Sequence, residues 1–357
     1  MKTYIKFLIK IFLTSFINIF FIMLSLVIII NLISELDFFK ENTVNLLFPI
    51  YLSFLNSPTS LFEMLPFLTL ISTQLFFIKL ENNNEIQIFK YSGLKNSHIL
   101  KILSITSILM GLFSVIVFYN FSSKLKNFYI ELKSPFTTDN KYLAIITKNG
   151  LWIKDVVDNS QIIVNSSEIK NNFLINNFIS EFNENYEIKK NIYSKEINIK
   201  DKNWIVTDAQ ITEKNSTKNY EEIIFKTNFD YERIQSLFSN LDSMSFLGLL
   251  ELKKNYQSIR YSTTDIDIQI HKIISLPFYL MLITILSSII MINTKNFKST
   301  FLKITTGLFC SVIIYYINNF FYVLGNTEKI PYILSVWFPI LILLIVNYLF
   351  GRKINEK

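Results

Sequence analysis

The chain is poor in the residues from which reactive sites are usually made. It holds 7 glycines, 1 cysteine and 2 histidines in 357 residues. No GxxxxGKS/T run occurs, so nucleotide hydrolysis is not encoded here. GxSxG and HExxH runs are missing as well, and no strong carboxylate pair lies within an apolar run. The single cysteine, Cys310, sits inside an apolar stretch, which excludes an intrachain disulfide and a cysteine-based metal site. His98 and His271 are far apart and read as interfacial residues rather than metal ligands. No cofactor and no metal are expected. Charge is scarce too: 18% of residues, against about 25% in an ordinary soluble chain.

What the chain has instead is apolar length. Half of it is hydrophobic, concentrated in long runs towards both ends, with a polar middle. A helix needs roughly 20 apolar residues to cross the hydrocarbon core. Six segments qualify: Ile11–Ile33, Leu61–Ile78, Ile99–Phe121, Ile273–Ile292, Phe301–Leu324 and Pro331–Phe350. Glu63 and Pro66 interrupt the start of the second, and Val44–Leu55 before it suits an interfacial helix. The first run is too long for a signal-peptide core and no small-x-small cleavage site follows it, so it reads as a retained helix.

The net charge of +7 does not point to nucleic acid, because many lysines cluster at the ends of apolar runs. Lys2, Lys6 and Lys10 precede the first span, and Lys79, Lys90, Lys95 and Lys101 lie around the second loop. Lys295, Lys298 and Lys303 separate the fourth and fifth spans, and Arg352, Lys353 and Lys357 follow the sixth. The opposite short loops hold only Lys40 and Lys329. The positive-inside rule then places both termini in the cytoplasm and the polar middle outside. The expected fold class is an α-helical membrane protein with six transmembrane helices, three plus three, and an inserted extracytoplasmic all-β domain. Its parts run 1–121, 122–264 and 265–357.

The middle alternates apolar and polar residues in Tyr186–Tyr193 and Glu196–Lys200, as half-buried strands do. Asp201-Lys202-Asn203 forms a turn into a strand at Trp204–Val206. Further strands are expected at Leu143–Thr147, Leu151–Lys154 and Gln161–Val164, with Asn149-Gly150 as a hairpin turn. Many short strands point to a β-sandwich or jelly roll. Helical spacing returns over Leu241–Tyr256.

One connection, within residues 80–98, has the makings of a short helix. Asn84 can cap it, Glu85 falls in its first turn and Gly93 can end it. By composition alone it is either a solvated connection or a docking element for a soluble partner.

Four stretches come in the order found in the LptF/LptG permeases, and the chain resembles that family over nearly its whole length. They are Asn84–Gly93, Gly150–Asp155, Phe182–Asn185 and Ile268–Pro277. Gly150-Leu151-Trp152 and Phe182-Asn183-Glu184-Asn185 look more like LptG than LptF. The resemblance implies a permease subunit of the ABC transporter that extracts lipopolysaccharide from the inner membrane. It implies a paralogous LptF-like subunit, an LptB-like ATPase dimer, an LptC-like protein receiving the lipid, and a β-jelly roll outside. The 80–98 loop then corresponds to the coupling helix, with Glu85, Ile86, Ile88, Phe89, Tyr91 and Gly93 at the ATPase. The family carries several basic residues at the outer end of the first span, whereas Asn31–Lys40 here holds one cation and two acids. Asn31, Ser34, Lys40, Lys124, Lys126 and Lys133 are the candidates for the substrate path. The residues alone also admit a membrane-anchored sensor or assembly protein whose outer β-domain binds a ligand.

Overall fold

A computed structural model describes the chain apart from residues 1–2, 41–43, 137–142, 148–149, 158–159, 171, 184–185, 214–215, 232–233, 235–240, 259–261, 294–298 and 353–357. Lys2, Lys295, Lys298, Lys353, Lys357, Asn149, Glu184 and Asn185 therefore lie outside the described residues. The chain divides into two compact units, Met1–Tyr129 with Asp267–Lys357, and Ile130–Ile266.

The first unit is helical. It contains α1 (Thr3–Phe38), α2 (Leu47–Glu63), α3 (Leu65–Asn82), α4 (Glu85–Tyr91) and α5 (Asn96–Phe113). A π-helical turn, Ser114–Tyr119, carries α5 into α6 (Asn120–Lys133). After the inserted unit and its helix α7 (Phe246–Ser258) come α8 (Thr264–Asn293), α9 (Thr300–Asn326) and α10 (Tyr332–Gly351). Among the described residues five helical stretches are long and apolar enough to cross a membrane: α1, the α5–α6 run, α8, α9 and α10. A sixth span exists if α2 and α3, bent by 69° at their junction, are one broken span. The bend falls at Met64, beside Pro66 in the first turn of α3. Proline donates no amide hydrogen and crowds the residue before it, so α2 cannot run through. The expected second span is thus two helices meeting at an angle, and the expected interfacial helix is the first part of α2.

α8 is the most buried of the five spanning stretches. It packs on α3 and α5 through small and hydroxyl side chains. Ser287 donates to the Leu70 carbonyl at 3.0 Å, and the Ser107 and Thr284 hydroxyls lie 2.7 Å apart. A Cβ on Gly111 would stand 2.5 Å from Pro277 Cα, so only glycine permits that approach of α5 to α8. Buried Thr69, Ser72, Thr73, Thr284 and Ser288 return their hydroxyls to carbonyls four residues earlier, which satisfies them without water. By contrast α1 and α9 are the least buried spans and present Phe21, Ile22, Ile30, Phe309, Tyr316 and Phe320 outward.

The second unit is built on an antiparallel sheet of β1 (Leu143–Thr147), β2 (Gly150–Val157), β3 (Ser160–Lys170), β4 (Phe173–Phe182), β5 (Ile188–Asn198), β6 (Asn203–Glu213) and β7 (Ser216–Lys226). Each strand pairs with its sequence neighbours in the order β1 to β7. The all-β inserted domain is as expected. Among the described strands its connectivity is a meander. β4 and β7 carry no clean alternation in sequence and were not among the expected strands, and the two expected strands at 186–200 are the single strand β5. Gly150 opens β2 opposite Thr147 rather than forming the turn itself, at φ +117° and with Ser166 O only 2.1 Å from where a Cβ would be. No other residue fits that position.

One face of the sheet buries the row Ile153, Val164, Ile179 and Ile192, matched strand to strand. The opposite face exposes Trp152, Phe178 and Tyr193. Across the middle the pairing is interrupted at Ser167/Asn176, at Asn176/Lys195 and at Asp208/Glu221, and Asn176 and Asp208 take left-handed φ of 51°. The register is the same on both sides of each gap, so these are missing pairs on one line across the sheet rather than bulges. Two buried hydroxyls satisfy carbonyls on that line: Ser166 donates to Ile175 O at 3.2 Å and Ser194 to Thr207 O at 2.7 Å.

Past β7 the chain is tied back to β2 by a buried carboxylate. Asp155, 1% exposed, accepts hydrogen bonds from Thr227 Oγ1 (2.5 Å), Asn228 N (2.9 Å), Asn228 Nδ2 (3.0 Å) and Val156 N (2.7 Å). Buried Trp204 donates its Nε1 hydrogen to Phe229 O at 2.8 Å in the same region. At the β4–β5 connection, Asn183 Oδ1 accepts from Glu187 N at 2.9 Å, so Asn183, within the Phe182–Asn185 stretch, does turn chemistry.

Beside that turn Glu181, with its side chain 10% exposed, binds Lys189 at 2.7 Å and Lys190 at 3.0 Å. Burial pushes its carboxyl up, but the two ammonium groups outweigh burial and hold it below the usual carboxylate range. A carboxyl depressed by folding stabilises above its unfolded value and loses that contribution as pH falls through the folded one. The sheet domain is therefore expected to weaken below about pH 4.5. Glu181→Gln should flatten that limb, as measured by thermal unfolding of parent and variant along a pH series.

Candidate functional site: a two-faced helix at one end of the bundle

α4 is seven residues long and is bracketed by two backbone reversals. Asn84 enters it with φ 57°, a left-handed conformation that asparagine tolerates. In that geometry its side chain makes no capping bond, contrary to the expected cap. Asn83 Nδ2 instead donates to Glu85 Oε1 at 3.2 Å. The far end closes as expected on Gly93, at φ 79°: Leu94 N donates to Phe89 O and Gly93 N to Lys90 O, at 2.9 and 3.0 Å. These are the two bonds of a Schellman cap.

The helix has two faces. Ile86 and Phe89, three residues apart, pack with Leu94 against a buried cluster containing Leu8, Phe12, Leu80, Ile99 and Ile292. The rings of Phe7 and Phe89 stand 6.2 Å apart. Ile88 and Tyr91, again three apart, point away and are 59% and 90% exposed. Glu85 Oε2 is shielded from solvent and has no hydrogen-bond partner among the described residues. A short helix that is anchored on one side and apolar on the other, with an unsatisfied carboxylate oxygen, is arranged to receive another surface.

The expected substrate-path residues divide. Asn31 Nδ2 donates to Ser57 Oγ at 3.0 Å, and Lys126 Nζ donates to the adjacent Asn56 Oδ1 at 2.6 Å. Lys126 also lies 4.8 Å from the centre of the Tyr129 ring, and Tyr129 OH donates to buried Glu35 Oε1 at 2.7 Å. Asn31 and Lys126 thus knit α1 and α6 onto α2. Ser34, Lys40 and Lys124 are exposed, and Lys133, half-buried at the end of α6, belongs to the other unit. Sequence reasoning missed Glu35, Asn56, Ser57 and Tyr129. The available signal was an ionisable residue close to the end of an apolar helix.

Among the described residues no three His, Cys, Asp or Glu side chains gather as metal ligands. His271 Nδ1 accepts from Trp337 Nε1 at 3.2 Å and its ring lies 5.5 Å from Tyr332, so it ties α8 to α10.

Apolar helices of spanning length and an inserted sheet domain define a multi-pass membrane protein. Residues 6–352 match the family model described as lipopolysaccharide export system permease LptF/LptG. The chain belongs to that family, and is a multi-pass inner-membrane permease subunit for lipopolysaccharide export. No curated protein matches it in sequence.

Proposed function

We propose that the chain is one transmembrane half of an ABC exporter, and that α4 is where its ATPase docks. The observation that carries this is the two-faced α4. Ile86, Phe89 and the Gly93 cap hold it to the bundle, while Ile88, Tyr91 and the unsatisfied Glu85 oxygen are offered outward. The partners in this reading are an LptF-like paralogue, an LptB-like ATPase dimer and an LptC-like protein that takes the lipid onward. The chain itself is the LptG-like half, on the strength of Gly150-Leu151-Trp152 and Phe182–Asn185. Both termini and α4 face the cytoplasm, and the domain between the third and fourth spans, 122–264, is periplasmic. The lysine distribution supports that orientation.

Moving a lipid out of a bilayer exposes acyl chains at about 0.8 kcal/mol per methylene, a cost that calls for ATP from a partner. The exposed Phe and Ile faces of α1 and α9 suit acyl contact. Ser34, Lys40 and Lys124 are exposed and suit the polar end of the substrate, whereas Asn31 and Lys126 are engaged with α2; Lys133, in the other unit, stays a candidate from the sequence alone. Purification in mild detergent is expected to bring down a nucleotide-binding subunit with measurable ATPase activity. A chain that purifies without one acts as a membrane-anchored ligand-binding protein instead.

A further inference from the structure

Four residues from the start of α4, at the end of α3, Glu81 meets α9. Lys303 Nζ donates to Glu81 Oε2 at 2.5 Å, and the lysine side chain is only 6% exposed while the acid is 40% exposed. A lysine desolvated to that degree depends on its counter-ion, because removing the partner leaves an uncompensated buried charge. The backbone of the same residue is held from another direction. Gln74, fully buried in α3, donates its Nε2 hydrogen to Lys303 O at 3.0 Å. Gly307 makes room for it, since a Cβ there would stand 1.9 Å from Gln74 Nε2. Thus α3 grips one residue of α9 twice, by an ion pair at Glu81 and by an amide two turns earlier.

Farther along, α9 is held to α8 instead, through Asn318 with the Tyr279 hydroxyl and through Tyr322 beneath Lys272. Of these contacts the one nearest α4 in the chain is the one between two opposite charges. We propose that Lys303 is the positioning residue through which displacement of α4 is passed to α9, with Glu81 and Gln74 as the two halves of the joint. This rests on the ATPase-docking reading of α4. A rigid ion pair transmits both push and pull between helix ends, whereas apolar side chains would slide. α9 carries the exposed Phe309, Tyr316 and Phe320, so motion delivered to its first turn shifts an apolar surface in the membrane.

The test uses the full chain in its complex, with Cys310 replaced by serine and spin labels at the exposed positions Gln87 and Thr305. Lys303→Met and Glu81→Gln should each broaden the label-to-label distance. They should also lower ATP-driven lipid release about tenfold, within the usual range of coupling effects, while ATP hydrolysis stays within about twofold of the parent. The double exchange Glu81→Lys with Lys303→Glu should narrow the distance again and restore release, and Lys303→Arg should behave like the parent. Unchanged distances in the single variants, or a charge exchange that restores nothing, overturn the joint. If the distances respond while the parent complex releases no lipid, the joint stands and the exporter reading falls.

Discussion

Glu85→Lys should strip the ATPase from the complex while leaving the bundle folded. Glu85 sits in the first turn of α4 with Oε1 held by Asn83 Nδ2 and Oε2 shielded and unsatisfied. Such an oxygen is completed by a donor from outside, and a cationic donor would be the strong choice. Reversing the charge replaces an attraction with a repulsion in a partly desolvated contact, and also places a cation at the positive end of a helix. We expect binding weaker by at least about 100-fold, roughly 3 kcal/mol. Glu85→Gln should fall between parent and lysine variant. Titrating the purified permease with its ATPase in detergent checks both, with thermal unfolding of the permease alone as the control. Equal affinity for parent and Glu85→Lys would remove Glu85 from the docking surface.

Asp155→Ala should have its large effect on the sheet domain rather than on docking. The carboxylate is 1% exposed and receives hydrogen from Thr227 Oγ1, Asn228 N, Asn228 Nδ2 and Val156 N. Alanine leaves those donors buried without their acceptor, at about 1–3 kcal/mol for each that finds no substitute. A total of roughly 3–5 kcal/mol is expected, a large part of an ordinary domain's stability. Limited proteolysis of the full chain should then cut within 143–226 at temperatures where the parent resists, with ATPase association unchanged. Resistance equal to the parent's would show that the Asp155 network is dispensable.

Asp155 also shows where sequence reading stops. As part of Gly150–Asp155 it was visible only as a stretch shared with a family, and its position in β2 marks it as an inward residue by alternation. Nothing local says that its partners lie more than 70 residues on, at Thr227 and Asn228. The same holds at Lys303, whose acid is 222 residues away. Lys303 was read as one of the lysines orienting a helix; that it is buried against Glu81 is a property of the packed bundle. β4 and β7 escaped because Asn176, Asn177 and the run Thr217–Glu222 blur the two-residue period, and Asn176 is where the ladder breaks.

The placement of five of the six apolar spans, the charge asymmetry of the loops and the all-β character of the insert were determined by the sequence itself. They depend on composition over windows of about 20 residues and on short-range periodicity, which need no knowledge of distant partners. Gly93 as the terminator of α4 belongs here too, because a left-handed glycine cap involves only its own turn. The tertiary structure alone decided which side of α4 is exposed, that α2 and α3 meet at 69° rather than continue as one span, and that Asn31 and Lys126 are spent on α2. It also decided that a buried lysine joins α9 to the end of α3, four residues before α4. Those outcomes turn on burial and on contacts between residues far apart in the chain. Desolvation then separates one lysine from another, and no window of sequence records it.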